Sequence, residues 1–149
     1  MKDLVNLGVN IVALEKKDHK YGMTCAWMTQ IDEDKLIMLI GSQSETVKHI
    51  EEGDFIGVSA LSELQVDIAK RFGESHSKKV NKFSNLSYEN EDGAIMINKA
   101  CRLMKCRVLS IGRIVDNDEV YLIQVEVVSM ECNSNKFLSM TKYRNLTED

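Results

Sequence analysis

The feature that most constrains this chain is a long alternation of apolar and polar residues in its last third. The alternation occupies residues 102–114 and 120–129, and the turn-forming residues Asp116-Asn117-Asp118 lie between the two stretches. Two long strands joined by a short turn predict an antiparallel hairpin. The residues expected on its core face are Met104, Cys106, Val108 and Ile114 in the first strand, and Tyr121, Ile123, Val125 and Val127 in the second.

Shorter β-like runs precede this hairpin, and two helices are expected among them. The runs are residues 9–14, 23–29, 35–40 and 55–61. One helix is predicted at residues 44–52, where Val47 and Ile50 have helical spacing and Gly53 is a natural stop. A mostly β chain with long strands and a few short helices predicts an antiparallel β-barrel, because closure removes exposed edges.

The second helix has a recognisable start. Ser62-Glu63-Leu64-Gln65 has the form of a capping box, in which the serine caps the first turn and the glutamine reaches back to the serine amide. The helix then ends at Gly73. The residues predicted on its apolar face are Leu64, Ile68, Ala69 and Phe72.

Length and charge set broad limits. The 149 residues fit one domain, spanning 1–149, with a substantial core. No apolar run approaches the roughly 20 residues needed to cross a bilayer, and the N-terminus lacks the pattern of a signal peptide, so we expect a cytoplasmic protein with no membrane contact. A net charge of -4 argues against nucleic acid as a partner. The one dense basic stretch, residues 78–82, is either a solvated loop or a contact for a phosphate-bearing ligand.

Several kinds of chemistry find no support. The four cysteines are scattered, which fits neither a disulfide framework nor a zinc site, and no metal site is predicted. The three histidines are isolated from one another. The sequence has no nucleophile elbow, no P-loop and no Rossmann glycine fingerprint. We therefore assign no catalytic residue, and a nucleotide cofactor would need a different kind of site.

Two segments carry the residue types of a ligand site. Residues 22–30 hold the only tryptophan, Trp27, among small and hydroxyl side chains that let a planar ligand approach the backbone. Residues 41–46, Gly-Ser-Gln-Ser-Glu-Thr, lead into the first predicted helix, where hydroxyls and amides can hold an anion. Taken alone, Trp27 is more typical of a core position than of a ligand site, and Ser44 is more typical of simple N-capping than of anion binding.

In this order, the motifs resemble those of the flavin reductase-like FMN-binding family. Met-Thr-Cys-Ala-Trp-Met-Thr-Gln at residues 23–30 is similar to its first motif, and the strand, polar turn and helix start at 36–46 are similar to its second. Residues 55–61 resemble a strand that reads Phe-x-Val-Asn-Val-Leu in relatives, and residues 65–72 the helix after it. Lys82-Phe83 and the terminal Tyr143-Arg144-Asn145-Leu146 resemble two further signatures.

The resemblance implies a homodimeric split β-barrel that binds FMN near the dimer interface. Trp27 and its neighbours would line the flavin, the 42–46 turn would hold the ribityl or phosphate end, and a lysine would neutralise the phosphate. The cofactor-binding residues implied by the resemblance are Thr24, Cys25, Ala26, Trp27, Ser42, Gln43, Ser44, Thr46, Ser59, Ala60 and Leu61, together with Lys79 or Lys82.

Three departures from the family pattern bear on function. Residues 31–34 replace a frequent Asp-Pro-Pro, and Ser59 replaces the usual asparagine. Many reductases of the family carry Gly-Asp-His in the closing hairpin, with the histidine near the nicotinamide, whereas residues 113–118 contain no histidine. The resemblance as a whole implies an NAD(P)H-dependent FMN reductase, whereas the missing histidine argues against a nicotinamide site. The alternatives are an electron carrier resembling flavoredoxin, which exchanges electrons with a protein partner, and a flavin-binding barrel without redox turnover.

Overall fold

The computed structural model describes residues 3–74, 81–114 and 116–147. This part of the chain is mainly β and folds into a nine-stranded antiparallel sheet with two α-helices and one turn of 3₁₀ helix. The strands are β1 (Asn10–Lys16), β2 (His19–Cys25), β3 (Met28–Asp32), β4 (Lys35–Gly41), β5 (Phe55–Ala60), β6 (Tyr88–Glu91), β7 (Ala94–Ile97), β8 (Arg102–Ile114) and β9 (Asn117–Cys132). The helices are the 3₁₀ turn (Val47–His49), α1 (Val66–Glu74) and α2 (Met140–Thr147).

The C-terminal hairpin is confirmed. Strands β8 and β9 pair along their whole length, with Val108 opposite Val125 and Arg102 opposite Cys132. The side chains of Met104, Cys106, Val108, Ile123 and Val125 are buried in one core. The other three residues predicted on the core face are only partly buried: Tyr121 and Val127 pack against this core, and Ile114 lies at the end of β8.

The sheet forms a barrel that hydrogen bonds do not close. One path of paired strands runs β2-β1-β5-β8-β9-β4-β3, and side chains from all of these strands except β3 are buried in the same core. In this path β2 and β3 are the two outer strands, and they follow each other in the chain with only Ala26 and Trp27 between them. The fold is therefore a split barrel, and the expectation that closure removes its edges is wrong.

The prediction of a single strand at 23–29 is wrong, because β2 ends and β3 begins within this segment. The Met28 amide donates to the Ala26 carbonyl at 2.8 Å, so the chain turns sharply there. The Leu39 amide donates to the Trp27 carbonyl at 2.9 Å, which ties the segment after the turn to β4. The segment before the turn pairs with β1 instead, so what reads as one alternating run in the sequence serves two sheet edges.

The helix predicted at 44–52 is reduced to the 3₁₀ turn Val47–His49. Val47 and Ile50 are both buried in the barrel core, so the apolar pattern is correct although the conformation is not. Helix α1 forms as expected and packs against β2, with Ala69 and Phe72 buried in a second core that lies beside the barrel. Leu64, placed on the apolar face by the sequence pattern, is instead 91% exposed because it precedes the first helical turn.

Strands β6 and β7 and helix α2 complete this second core and were not predicted. Strand β7 pairs with the end of β1, and the chain before α2 is held by a hydrogen bond from the Leu138 amide to the Leu61 carbonyl at 3.0 Å. In the part of the chain that the structure describes, no helix has the length and apolar character to span a membrane.

Candidate functional site

The break between β2 and β3 opens onto an apolar groove. Trp27, at the break, is 50% exposed, and its side chain lines a groove of about 580 Å³ on the outside of the barrel. The other apolar walls come from β4 and from the N-terminal segment, through Leu4, Val5, Leu7, Ile37 and Leu39. Small-molecule sites typically occupy roughly 300–1,000 Å³, so the groove has a suitable volume for a cofactor.

Strand β4 explains why the outside of the barrel is apolar here. Successive side chains of a strand point to opposite faces, so Met38 and Ile40 are buried in the barrel while Ile37 and Leu39 point outward. An unbroken apolar run at 36–40 is the sequence signal of a strand covered on both faces. That signal was available, and it would have added Ile37 and Leu39 to the candidate residues.

The N-terminal segment is held along the groove by contacts with α2. The Met140 amide donates to the Leu7 carbonyl at 2.8 Å, and the Arg144 guanidinium forms an ion pair with Asp3. Leu4 and Val5 nevertheless remain 95% and 65% exposed. The groove therefore has a fixed apolar rim that the described part of the chain leaves uncovered.

Thr24 and Cys25 precede the break, and their side chains are engaged inside the protein. The Thr24 hydroxyl donates to the Ala69 carbonyl of α1 at 2.8 Å. Cys25 is buried, with its Sγ atom 3.8 Å from the Trp27 carbonyl oxygen, and burial raises the pKa of the Cys25 thiol to about 12. Of the first motif, Ala26 and Trp27 are left at the break itself, and flavin contact by Thr24 and Cys25 remains a prediction.

The polar turn at 41–46 lies at the end of β4, next to the groove. Gly41 is two residues from Leu39, which corresponds to about 7 Å along a strand. The Ser42 amide donates to the Glu119 carbonyl at 2.8 Å, and Gln43 is exposed. The Trp27 carbonyl thus pairs with Leu39, two residues before the turn begins, and the residues that line the groove include none from 41–46.

The remaining residues of the turn have internal contacts. The Ser44 hydroxyl accepts a hydrogen bond from the Val47 amide at 3.3 Å and donates to the Met23 sulfur at 3.2 Å. Thr46 is buried. The Ser44 hydroxyl thus binds the first amide of the 3₁₀ turn, although the N-cap position itself is occupied by Thr46, and anion binding by this turn would use half-buried Ser42 and exposed Gln43.

Ser59, Ala60 and Leu61 lie away from the Trp27 groove. The Ser59 hydroxyl is fully buried and accepts a hydrogen bond from the Ile97 amide at 2.8 Å. Leu61 is buried in the second core. Ala60 instead lines a separate opening at one end of the barrel, together with Gln30 and Met104. The structure does not bring these three residues together with Trp27.

Lys82 is buried and ties β2 to α1. Its ammonium group donates to the carbonyls of Gly22 and Phe72, each at 3.2 Å, and burial lowers the pKa of Lys82 below its ordinary value. A role in neutralising a phosphate therefore remains a prediction that this inward orientation does not favour. Lys79, the other lysine considered, lies outside the described residues.

Two further observations bear on chemistry. At the tip of the β8–β9 hairpin, the Arg113 guanidinium lies 4.0 Å from the centre of the Tyr121 ring and donates to the Asp118 carbonyl. Arg113 belongs to the segment in which many relatives carry a histidine. Within residues 3–74, 81–114 and 116–147, no group of three or more His, Cys, Asp or Glu side chains is placed to hold a metal ion.

Comparison with known proteins identifies the family. The model of the flavin reductase like domain matches residues 1–147, so the chain belongs to this family of flavin-binding oxidoreductases. Among curated proteins, none matches the chain by sequence.

Solved structures agree on the fold. Flavoredoxin from Methanosarcina acetivorans is 16% identical, with a TM-score of 0.77 over 90% of this chain and 74% of that protein. An NADH:FAD oxidoreductase from Streptomyces globisporus is 18% identical, with a TM-score of 0.76 over 87% and 77%. An FMN-binding protein from Thermus thermophilus is 13% identical, with a TM-score of 0.75 over 86% and 71%. At these identities the three structures establish a shared fold.

Proposed function

We propose that this protein is an FMN-dependent oxidoreductase that acts as a homodimeric, NAD(P)H-dependent flavin reductase. The observation that carries the proposal is the half-exposed Trp27 at the break of a split barrel, beside an apolar groove, in a chain that belongs to the flavin reductase-like family. The FMN-binding protein and the NADH:FAD oxidoreductase named above support the choice of chemistry, since both share this fold.

The apolar groove and the polar turn after β4 suit the two ends of a flavin mononucleotide. A planar ring system of low polarity suits the apolar walls formed by Trp27, Ile37 and Leu39. The polar ribityl and phosphate end suits Ser42 and Gln43, which lie beyond Leu39 at the end of β4. The short Ala26 side chain leaves room at the break for a close approach to the backbone.

The chain's own residues would bind, orient and shield the cofactor. Trp27 would pack against the ring, and Ile37 and Leu39 would exclude water from it. Ser42 would donate a hydrogen bond from its hydroxyl to the ribityl or phosphate oxygens. FMN, when bound, supplies the hydride and electron transfer. The protein need not provide a general acid or base for that transfer, which agrees with the lack of a catalytic dyad in the sequence.

A second copy of the chain would complete the site. The groove rim carries Leu4 and Val5, whose side chains are mostly exposed although the segment is fixed to α2. Contiguous exposed apolar surface of this kind marks interaction sites. We therefore place the proposed homodimer interface at this rim, where it would cover the groove and the cofactor within it.

One observation favours an electron carrier as the second candidate function. The hairpin tip presents Arg113, packed on Tyr121, in the segment where many reductases of the family carry a histidine near the nicotinamide. A carrier would hold FMN tightly, would exchange electrons with a protein and would need no nicotinamide site. Flavoredoxin from Methanosarcina acetivorans has the same fold.

The first test is FMN binding by purified protein, followed through the visible spectrum and through fluorescence. Trp27→Ala should weaken FMN binding about tenfold or more, because an aromatic wall of the ring is lost. Phe137→Ala is the matched control, since Phe137 is a similarly exposed aromatic (43%) away from the groove, and it should leave the affinity unchanged. Failure of the wild-type protein to bind FMN would overturn the proposal.

The second test separates the two candidate functions. FMN-loaded protein is mixed with NADH, and then with NADPH, in the absence of oxygen. Bleaching of the flavin absorbance at a catalytic rate supports the reductase. An unchanged spectrum with both nucleotides, followed by bleaching with a reduced redox protein, supports the carrier.

A further inference from the structure

The C-terminal end of β9 projects beyond the strand that flanks it. The pairing of β9 with β4 stops at Glu126, opposite Lys35, and the Val127 amide makes the last contact on that side by donating to the Asp34 carbonyl at 2.7 Å. Strand β9 then continues to Cys132 while paired only with β8. Residues 128–132 are all exposed, and we call this segment the β9 ridge.

A groove lies on each side of the β9 ridge, and Ser129 and Met130 line both grooves. The larger groove, about 530 Å³, has an apolar floor that includes Leu36 and Met104. The smaller groove, about 170 Å³, is bordered by carboxylates. Three apolar side chains stand out between the charged borders: Val128 is 38% exposed, Met130 is 55% exposed and Phe137 is 43% exposed.

The charges around this surface are strongly unbalanced. The two grooves together are lined by the carboxylates Glu33, Asp34, Glu89, Glu91 and Glu131, and by the cations Lys35 and Arg102. In the described part of the chain, four of these carboxylates form no ion pair, and the exception is Asp34.

Both cations are already engaged. The Lys35 ammonium lies 3.0 Å from the Asp34 carboxylate. The Arg102 guanidinium lies 4.9 Å from the centre of the Phe137 ring and donates to the Ser134 carbonyl at 2.6 Å and to the Asn135 side-chain oxygen at 2.7 Å. The surface is therefore an apolar centre with an acidic border, and five carboxylates against two cations give its lining a net charge of -3.

We propose that the β9 ridge and its two grooves form a docking site for a protein that presents an apolar patch surrounded by lysine and arginine. Complementary potentials steer such partners together and fix their orientation, while the apolar centre supplies contact area. Nucleic acid is excluded as the occupant by the sign of the charge. A two-fold contact of this surface with itself is excluded as well, because it would bring the unpaired carboxylates of two copies against each other.

This surface is distinct from the Trp27 groove, and its occupancy does not depend on flavin binding. It nevertheless reaches Gln30 and Ala60, which line the larger groove at the end of the barrel. A surface with few apolar side chains and many border charges is typical of small, transient interfaces, which bury less than about 1,200 Å² in total. The site therefore suits a partner that binds briefly and leaves.

The test uses ferricytochrome c, a small protein with a lysine-rich face, as the probe. The ¹⁵N-labelled full chain is titrated with it at about 10 mM ionic strength, where charges interact over about 30 Å. We expect amide shifts at residues 33–34, 89–91 and 128–131, and a loss of binding at about 150 mM salt. Cytochrome c whose lysines have been succinylated should not bind.

Variants assign the binding to this surface. The double substitution Glu89→Gln/Glu131→Gln should raise the dissociation constant about tenfold, because border charges act on association. The control is Asp116→Asn/Asp118→Asn, which removes the same charge at the opposite end of the hairpin and should change the constant less than about twofold. Met130→Gln should weaken binding about threefold with the salt dependence unchanged, since it removes apolar contact and no charge.

Three results would each overturn the proposal. They are the absence of binding at low ionic strength, amide shifts located elsewhere on the protein, and equal effects of the two double variants. Because FMN affinity is measured separately, an FMN-free protein that still shows the expected shifts would leave this inference standing while the proposed function fails.

Discussion

At the scale of single residues, Gly57 is the glycine at which an added side chain would meet the closest backbone atoms. Strand β5 passes so close to β7 that a Cβ atom at Gly57 would lie 1.8 Å from the Ile95 carbonyl oxygen. Backbone atoms cannot move aside as a flexible side chain can. We therefore expect Gly57→Ala to lower the free energy of unfolding by more than about 3 kcal/mol, measured by urea denaturation.

Gly112 provides the control for this prediction. It also lies in a strand, but a Cβ atom there would meet no atom within 4 Å. Gly112→Ala should change the free energy of unfolding by no more than about 0.5 kcal/mol. Equal effects of the two substitutions would show that loss of glycine flexibility, and not the contact with Ile95, determines the cost.

Lys82 gives a prediction for pH dependence. Burial lowers the pKa of Lys82 below the ordinary 10.5. Between that lowered pKa and 10.5, the unfolded chain holds a proton that the folded chain lacks, so the contribution of Lys82 to the free energy of unfolding rises with pH. The difference in unfolding free energy, wild type minus Lys82→Met, should therefore increase as the pH rises through this window.

Denaturation curves recorded at several pH values for both proteins measure that difference. Subtracting the variant removes the contributions of the other titrating groups. A difference that stays constant, or that falls with rising pH, would contradict the burial of a charged ammonium group at Gly22 and Phe72.

At the scale of helices and strands, the sequence patterns correctly predicted the elements whose formation depends on residues close together in the chain. The β8–β9 hairpin follows from alternation and a short turn, and both are properties of adjacent residues. The break at Ala26 does not follow from such a pattern. The chain pairs with β1 before the break and with β4 after it, while the alternation of the sequence continues through the break. The segment 44–52 is similar: burying Val47 and Ile50 at the barrel end requires one 3₁₀ turn, and this tertiary contact overrides helical spacing.

The capping box before α1 is an element whose contribution can be measured. The Gln65 side chain accepts a hydrogen bond from the Ser62 amide at 3.0 Å and donates to the Asn98 carbonyl at 3.0 Å. Ser62 and Gln65 are both buried. Gln65→Ala therefore removes the partner of the Ser62 amide and of the Asn98 carbonyl, and should cost about 1–3 kcal/mol of unfolding free energy. Leu64→Ala, next to it but 91% exposed, should cost less than about 0.5 kcal/mol. Thermal or urea denaturation of both variants would decide, and equal costs would contradict the capping role.

At the scale of the whole molecule, the candidate site includes residues that no single sequence motif could have predicted to lie together. The first motif is tied to β4 by the hydrogen bond from the Leu39 amide to the Trp27 carbonyl, and the second motif begins at Gly41, two residues further along the chain. The groove also depends on Leu4 and Val5, which reach it only because α2 holds the N-terminal segment in place. No local pattern connects residues so far apart in the chain. Likewise, the alternation of side chains along β5 turns Ser59 into the second core, away from Trp27.

The proposed homodimer can be tested at the groove rim without disturbing the fold. Leu4 and Val5 are 95% and 65% exposed, so Leu4→Glu/Val5→Glu should leave the free energy of unfolding of the isolated chain nearly unchanged. In a dimer that buries this rim, the same charges would be desolvated without partners, at a cost of several kcal/mol. We therefore expect wild-type protein to sediment at twice the chain mass, and the double variant to sediment as single chains at the same concentration.

The control places the same two charges on exposed leucines elsewhere. Leu64→Glu/Leu146→Glu changes residues that are 91% and 59% exposed and do not line the groove, and it should leave the dimer intact. Since the second copy would also cover the cofactor, FMN affinity should fall in the rim variant and not in the control. A wild-type protein that sediments as single chains would contradict the proposed dimer. A rim variant that remains dimeric would contradict an interface at this face, because charges at positions 4 and 5 disrupt a dimer only if its interface buries them.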